Sequence, residues 1–509
     1  MQREDMVAMT EHAAPPAGRP RASTGTAGLD NILGGGLDPD HVYLLEGRPG
    51  TGKTTLALQF LLAGVRSGEP GLYITLSESD RELRGTAAGH GWSLDGIDIF
   101  ELVPAEASLD PARELTLLHP AEVELNETIQ LIFSRVEAAK PARVVLDSLS
   151  DLRLLAQDPL RYRRQILALK HYFTQRSITV ILLDDLSTQH DDVQLHSLAH
   201  GVVTLEHLAV EYGANRRRLR VMKMRGMDFR GGYHDFTIRT GGVEVFPRLV
   251  AAEHHRPFLG EAVSSGSPEL DMLVGGGLER GTSTLLIGAA GVGKSSLAIM
   301  YAVAAAARGE RATIFAFDEG LGTIHARALG LGIPLSRYIE SGMVEVTQID
   351  PAEMPPGQFV HLVRQTVETQ GTRLVVIDSL NGYLNAMPDE RFLILQMHEL
   401  LSYLNQLGVL TLLVLALHGM VGPTQSPLDM SYLSDAVLML RYFEHDGSVR
   451  RALSVVKKRA GGHENAIREF HLTHQGVRVG PPLSGFSGVL SGAPIYTGPP
   501  GMLEDENTR

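Results

Sequence analysis

The chain has no cysteine, which excludes disulfides, thiolate metal sites and cysteine nucleophiles together. Long hydrophobic runs are missing too. The longest, Leu297–Ala307 and Val409–Leu417, fall far short of the roughly 18–20 residues that cross a bilayer. The opening stretch MQREDMVAMTEHAAPPAGRPRA has no apolar core of the kind a secretory signal carries, so the expectation is a cytoplasmic protein without membrane contact. Positive charge is in deficit: 46 basic against 59 acidic side chains give a net charge of −13. A protein that coats nucleic acid would more often be basic, and nucleic acid is not the expected partner. Lysine is scarcest of all, with seven residues (53, 140, 170, 223, 294, 457 and 458). A lysine kept against that bias is a candidate for a place where a compact ammonium is needed. What remains is ordinary: 509 residues, 43% apolar and 21% charged, enough for two globular domains and short tails.

The chain is written twice. LDNILGGGL (29–37) returns as LDMLVGGGL (270–278), and GRPGTGKT (47–54) as GAAGVGKS (288–295). LYITLSE (72–78) answers TIFAFDE (313–319), VVLDSLS (144–150) answers VVIDSLN (375–381), and KMRG (223–226) answers KKRA (457–460). Collinear matches with a small drift in offset mean two homologous domains, the second with a loop deletion. The expected boundaries are a disordered N-terminus over 1–22, a first domain over 23–249, a linker over 250–262, a second domain over 263–479 and a flexible tail over 480–509.

Each copy alternates continuous apolar strands with amphipathic helices, which predicts an α/β fold with a mostly parallel sheet covered on both faces. In the first copy the strands are VYLLEG, LYITLSE, RVVLDSL and ITVILLDDL, and helices are expected over Lys53–Arg66, Ser79–Gly89 and Leu160–Arg176. The stretch from LRVMKMRG to DFTIRTGGVEVF reads as added antiparallel strands.

Both Gly-rich octads fit G-x-x-x-x-G-K-[ST] between a strand and a helix. There the backbone N–H groups and the helix N-terminus cradle phosphate. The candidate nucleotide contacts are Gly47, Gly50, Thr51, Gly52, Lys53, Thr54 and Thr55, then Gly288, Gly291, Val292, Gly293, Lys294, Ser295 and Ser296. Thr54 and Ser295 would ligand Mg²⁺, with the strand-end carboxylates Asp147 and Asp378 holding its water shell. The competing reading of each aspartate is a helix N-cap. Glu78 and Glu319 also end strands and are candidate catalytic groups that polarise the attacking water or a protein hydroxyl. Glu78 competes with the capping box Ser79–Glu82 beside it. R-x₅-K-x-R recurs as Arg217, Lys223, Arg225 and as Arg451, Lys457, Arg459. It reads as charge supplied to a neighbouring subunit's triphosphate, or as a solvated basic strand or nucleic-acid contact.

At these residues the chain resembles the KaiC family, two-domain RecA-like ATPases and autokinases of the cyanobacterial circadian clock and their bacterial relatives. AIREF (466–470) and FSGVLSGAP (486–494) extend the resemblance to about Tyr496. It implies tandem RecA-like P-loop domains in a double-ring homohexamer, with ATP and Mg²⁺ between neighbouring subunits. Lys223, Met224 and Arg225, and Lys457, Lys458, Arg459 and His463, then look like interface residues near a neighbour's nucleotide, while Arg217 and Arg451 look like arginines that approach phosphate. A KaiB-like protein is the implied partner.

Some positions depart from the family pattern. Its paired glutamates stand here as Ser77–Glu78 and Asp318–Glu319, which makes Asp318 the second ring's shortened catalytic carboxylate. Its phosphorylated Ser–Thr pair stands as Ser431–Tyr432, with Ser426 at a third hydroxyl position; Tyr432, Leu433 and Val437 could also share the apolar face of a helix. The segment 107–125 differs strongly. The leading expectation is a signalling or timing ATPase with serine autokinase activity in its second domain. Its rivals are a RecA-type DNA-dependent ATPase, for which NRRRLR (215–220) is the densest basic run, and a nucleotide-gated scaffold without turnover.

Overall fold

The computed structural model describes residues 20–102, 120–156, 158–186, 193–210, 212–385, 390–417, 431–490 and 494–497. The chain divides into two compact units, Met1–Ala209 with Asn215–Arg248, and Val210–Ala214 with Leu249–Arg509. The first unit is built on nine strands: β1 (Val42–Gly47), β2 (Gly71–Thr75), β3 (Ile97–Glu101), β4 (Arg143–Asp147), β5 (Thr179–Asp185), β6 (Gly201–Leu208), β7 (Arg216–Met224), β8 (Tyr233–Arg239) and β9 (Gly242–Phe246). Their spatial order is β3-β2-β4-β5-β1-β6-β7-β8-β9. β1 to β6 run parallel, and β7 to β9 continue the sheet antiparallel.

In the second unit a small pair, β10 (Ala262–Val263) and β11 (Leu278–Glu279), accompanies a second nine-stranded sheet. Its strands are β12 (Ser283–Gly288), β13 (Ala312–Ala316), β14 (Val344–Gln348), β15 (Leu374–Asp378), β16 (Leu410–Ala416), β17 (Ala436–His445), β18 (Ser448–Lys458), β19 (Arg468–Thr473) and β20 (Gly476–Pro482). The order β14-β13-β15-β16-β12-β17-β18-β19-β20 repeats the first strand for strand. The fold is therefore α/β, with tandem RecA-like P-loop domains.

β1, β2 and β4 are buried at every position. Their alternate residues serve different cores: Tyr43, Leu45, Tyr73 and Val145 on one face, Val42, Leu44, Leu72 and Val144 on the other. Helices on both faces are what turn these strands into continuous apolar runs. The shortened connection of the second unit runs between β14 and β15 and holds the helix Pro356–Gln370, where the first unit places Pro120–Ala139 between β3 and β4. β3 and β6 are additional to the strands read from sequence.

Residues 250–262 pack on the second unit. Ala251 N donates to Glu399 Oε2 at 3.2 Å, and Arg256 N to Gln406 O at 3.3 Å. The ring of Phe258 fills the space over Gly281 and Gly408, where a Cβ would come within 2.3 and 2.5 Å of it. The described part of the tail is fixed as well, against the expectation of a flexible segment from 480. Leu483 and Val489 are buried, and β21 (Phe486–Ser487) pairs with β22 (Ile495–Tyr496) so that Phe486 and Tyr496 close on His445. Residues 1–19, 103–119 and 498–509, and Ser426, lie outside the described residues. No helix among the described residues is long and apolar enough to cross a membrane.

Candidate functional site

Each Gly-rich loop leaves the C-terminal end of its central strand, β1 or β12, and enters a helix, Lys53–Arg66 or Lys294–Ala307. Gly52 and Gly293 sit at φ +104° and +111°, and a Cβ there would meet Ile238 at 2.6 Å or Phe470 at 2.7 Å. Glycine is required on both counts. The loop curls around its own lysine. Lys53 Nζ donates to Gly47 O (2.9 Å) and Arg48 O (3.2 Å), and Lys294 Nζ to Gly288 O (2.9 Å) and Ala289 O (2.7 Å).

Asp147 and Asp378 end β4 and β15, neighbours of β2 and β13 in the sheets. Tyr73 donates its hydroxyl to Asp147 Oδ2 at 2.6 Å, and the Thr54 hydroxyl lies close enough to Tyr73 to act on its pKa. In the second unit the Ser295 hydroxyl lies close enough to Asp378 to lower its pKa. Burial pushes both carboxyls above the usual aspartate range, and a divalent cation beside them would offset that cost. The helix after β15 is capped by Ser379, not by Asp378. Both Asp–Ser peptides, 147–148 and 378–379, are cis. The hydroxyl-plus-aspartate pairs thus fit a Mg²⁺ ion at each loop.

The glutamates differ between units. Ser79 and Glu82 form a complete capping box, which leaves the Glu78 carboxylate without a hydrogen bond or ion pair among the described residues. Burial and the nearby Asp147 raise its pKa, the direction that suits a base working near neutrality. Glu319 accepts from Arg327 Nη1 at 2.5 Å, and Asp318 accepts from the Ser379 hydroxyl. Both carboxylates of the second unit are engaged.

The R-x₅-K-x-R motif is split by its strand. Gly47 pairs with Leu205, and Arg217 pairs with His207 two rows further on, at the phosphate-loop edge of the sheet. Lys223 pairs with Val202 and Met224 with Gly201, at the opposite edge. Arg451 and Lys457 repeat the arrangement opposite Tyr442 and Val437. Arg217 and Arg451 each bury an Nε without a partner, orphan donors on the loop side that fit a phosphate ligand. Lys223 Nζ instead donates to His196 O (2.6 Å) and Ala199 O (3.0 Å), and Arg225 to Ser197 O (2.6 Å). Lys457 and Arg459 likewise hold Ser434 O and Tyr432 O.

Met224 is buried in the core, and Lys458 ties down the GGGL turn through Gly277 O (3.2 Å) and Glu279 (2.8 Å). His463 follows Gly462, whose carbonyl lies where a Cβ on Gly275 would fall. The backbone at Ser431–Leu433 forms a short 3₁₀ turn before β17. Leu433 is buried and Tyr432 is 52% exposed, so a shared apolar helix face is not what forms. The NRRRLR run is absorbed into β7: Arg216 is buried, and Arg218 pairs with Glu206 at 2.7 Å and stacks on Tyr233.

Three partners escaped the reading from sequence: Asp185, which ion-pairs Lys53 at 2.6 Å, Arg327 on Glu319, and Ser379 on Asp318. The LLDD ending of β5, beside the phosphate-loop strand, was the available signal for the first.

Two P-loops on RecA-like sheets define a tandem ATPase. The model of the family "ATPase: KaiC" matches residues 22–250 and again 263–484, and the chain belongs to the KaiC family. It is 27% identical to circadian clock protein KaiC3 of Synechocystis sp., over 94% of this chain and 95% of that one. The identity is also 27% to the circadian clock oscillator protein KaiC of Parathermosynechococcus lividus (94% and 88% covered) and of Thermosynechococcus vestitus (96% and 95%).

Proposed function

We propose that the chain is a signalling or timing ATPase of the cytoplasm that works as a homohexamer, with ATP·Mg²⁺ bound between neighbouring copies in both units. The observation that carries this reading is the placement of each phosphate loop and each K-x-R segment at opposite edges of one sheet. A segment so placed cannot serve its own loop, but it can serve the loop of the next copy. In this reading ATP supplies the transferable γ-phosphoryl group. Lys53 and Lys294, with Arg217 and Arg451, hold its phosphates, and the hydroxyls of Thr54 and Ser295 hold the metal with Asp147 and Asp378. Glu78 and Glu319 orient the attacking water. Asp318 faces slow phosphoryl transfer to Ser431, and a KaiB-like protein reads the state.

A ligand bound by two chains converts its binding energy into association energy. Particle mass measured with and without Mg·ATP tests the reading: ATP-dependent hexamers are expected, and the same monomer in both conditions would overturn it.

A further inference from the structure

β5 and β16 are equivalent strands with unlike ends. β5 closes on Asp184–Asp185, in register with Glu46 and Gly47 of β1. β16 closes on Leu415–Ala416, in register with Ile287 and Gly288 of β12. Asp184 is buried and spoken for, accepting from Arg153 (2.8 Å) and Ser150 (2.9 Å). Asp185 is not buried: its side chain is 38% exposed, and its Oδ1 lies 2.6 Å from Nζ of Lys53, itself 9% exposed. The second unit has no carboxylate at this position. Lys294 has only loop carbonyls as hydrogen-bond acceptors among the described residues, and burial pulls its pKa down to about 8.

We propose that Asp185 is an affinity-determining latch of the first nucleotide site, a carboxylate that pairs with the loop lysine and competes with phosphate for it. The inference rests on the ATPase reading and assigns regulation to one of its two sites. The ammonium already has an anion 2.6 Å away, so a β- or γ-phosphate must compete with that ion pair. Once displaced, Asp185 remains at the end of a strand hydrogen-bonded to β1, where its charge opposes the bound phosphates. After hydrolysis, ADP offers fewer negative oxygens to the lysine, and Asp185 recaptures it. The latch therefore weakens nucleotide binding and hastens ADP release in the first site. The second site, with Ala416 in this place, binds more tightly and releases more slowly.

The test uses full-length protein and Mg·ATP or Mg·ADP. With Lys294→Ala silencing the second site, nucleotide affinity of the first is compared for Asp185 and Asp185→Asn. With Lys53→Ala silencing the first, the reciprocal variant Ala416→Asp installs the latch in the second. Asp185→Asn is expected to tighten binding about fivefold and to slow ADP release, and Ala416→Asp to do the reverse. Unchanged or weaker binding in Asp185→Asn overturns the latch, and so does unaltered binding in Ala416→Asp. If Asp185 instead helped to hold the metal, its replacement would weaken Mg·ATP alone, which also overturns the proposal. Failure of the parent proteins to bind nucleotide at either site would refute the ATPase reading itself.

Discussion

Arg327 grips Glu319 through a 2.5 Å contact in the second unit, and the first unit has no guanidinium at the equivalent place, where residue 86 is threonine. A carboxylate oxygen that already accepts from an arginine must give up that bond before it can accept from the attacking water. Arg327→Met should therefore raise phosphate release from the second site, measured with Lys53→Ala silencing the first. A fall in release would show that Arg327 positions Glu319 and does not restrain it.

In the first unit Glu78 stands alone, since Ser77 cannot act as a base near neutral pH. Glu78→Gln in a Lys294→Ala background should remove about 10²-fold or more of the remaining turnover. Because burial raises the Glu78 pKa, its deprotonated fraction grows as pH rises through a value above the usual 4.5. The acid limb of the rate profile should sit above that value and vanish in the variant.

The two edges of each sheet make a mixing experiment decisive. Protein with both loop lysines removed (Lys53→Ala, Lys294→Ala) and protein with both K-x-R lysines removed (Lys223→Ala, Lys457→Ala) should each be nearly inactive. Mixed in the presence of Mg·ATP, they should recover part of the phosphate release, because some neighbouring pairs combine an intact loop with an intact segment. Activity that fails to recover while mixed hexamers form would count against nucleotide sites shared by two copies.

Phosphate, where it transfers to the chain, should fall on Ser431. Tyr432 is half exposed, and its longer side chain overshoots a geometry set for a short hydroxyl, since transfer depends on in-line placement. Intact mass and peptide mapping after long incubation with Mg·ATP should show the modification lost in Ser431→Ala. A phosphate on Tyr432 in that variant would reverse the assignment.

His234 carries a stability signature. Its Nδ1 accepts from Arg248 N at 2.8 Å and its Nε2 meets Arg230 O at 2.9 Å, which fixes the neutral ring. Burial lowers its pKa from 6.5 to about 4. The folded-state value is depressed, so the unfolded chain binds the extra proton between those two values. Stability is then full above pH 6.5, declines as pH falls towards 4 and changes no further below it from this source, by about 3 kcal/mol in all. Urea unfolding followed through Trp92, the single tryptophan, reports this unit. His234→Gln should flatten the slope over that window.

The parts legible in sequence were those that local pattern controls. The helix Lys53–Arg66 follows from a Gly-rich loop feeding an apolar run, and Asp147 and Asp378 from strands that end on a carboxylate. β3, IDIFE, is short and half polar, and β6 starts close behind the short helix Val193–Leu198 and runs into the polar Glu206 and His207, so neither stands out as a separate apolar run. The ion pairs that distinguish the two sites were out of reach for another reason. Asp185 is 132 residues from Lys53, and Ser379 is 61 residues from Asp318; only the strand order brings each pair together. Strand order likewise divides Arg217 from Lys223, which share a nine-residue strand yet serve its two ends.

In the proposed assembly that division sets the size. A contact that joins one edge of a sheet to the other edge of the next copy uses two unlike faces, so adding a copy consumes one face and exposes another. Growth of this kind has no natural end, and it stops only when the rotation from copy to copy brings the last face back to the first. A closed circle leaves no chain as a terminus, and each copy then gives at one edge and receives at the other. A substitution that alters the angle of that contact by a few degrees, without touching any group that meets nucleotide, would change the number of copies in the circle or leave it open as a filament.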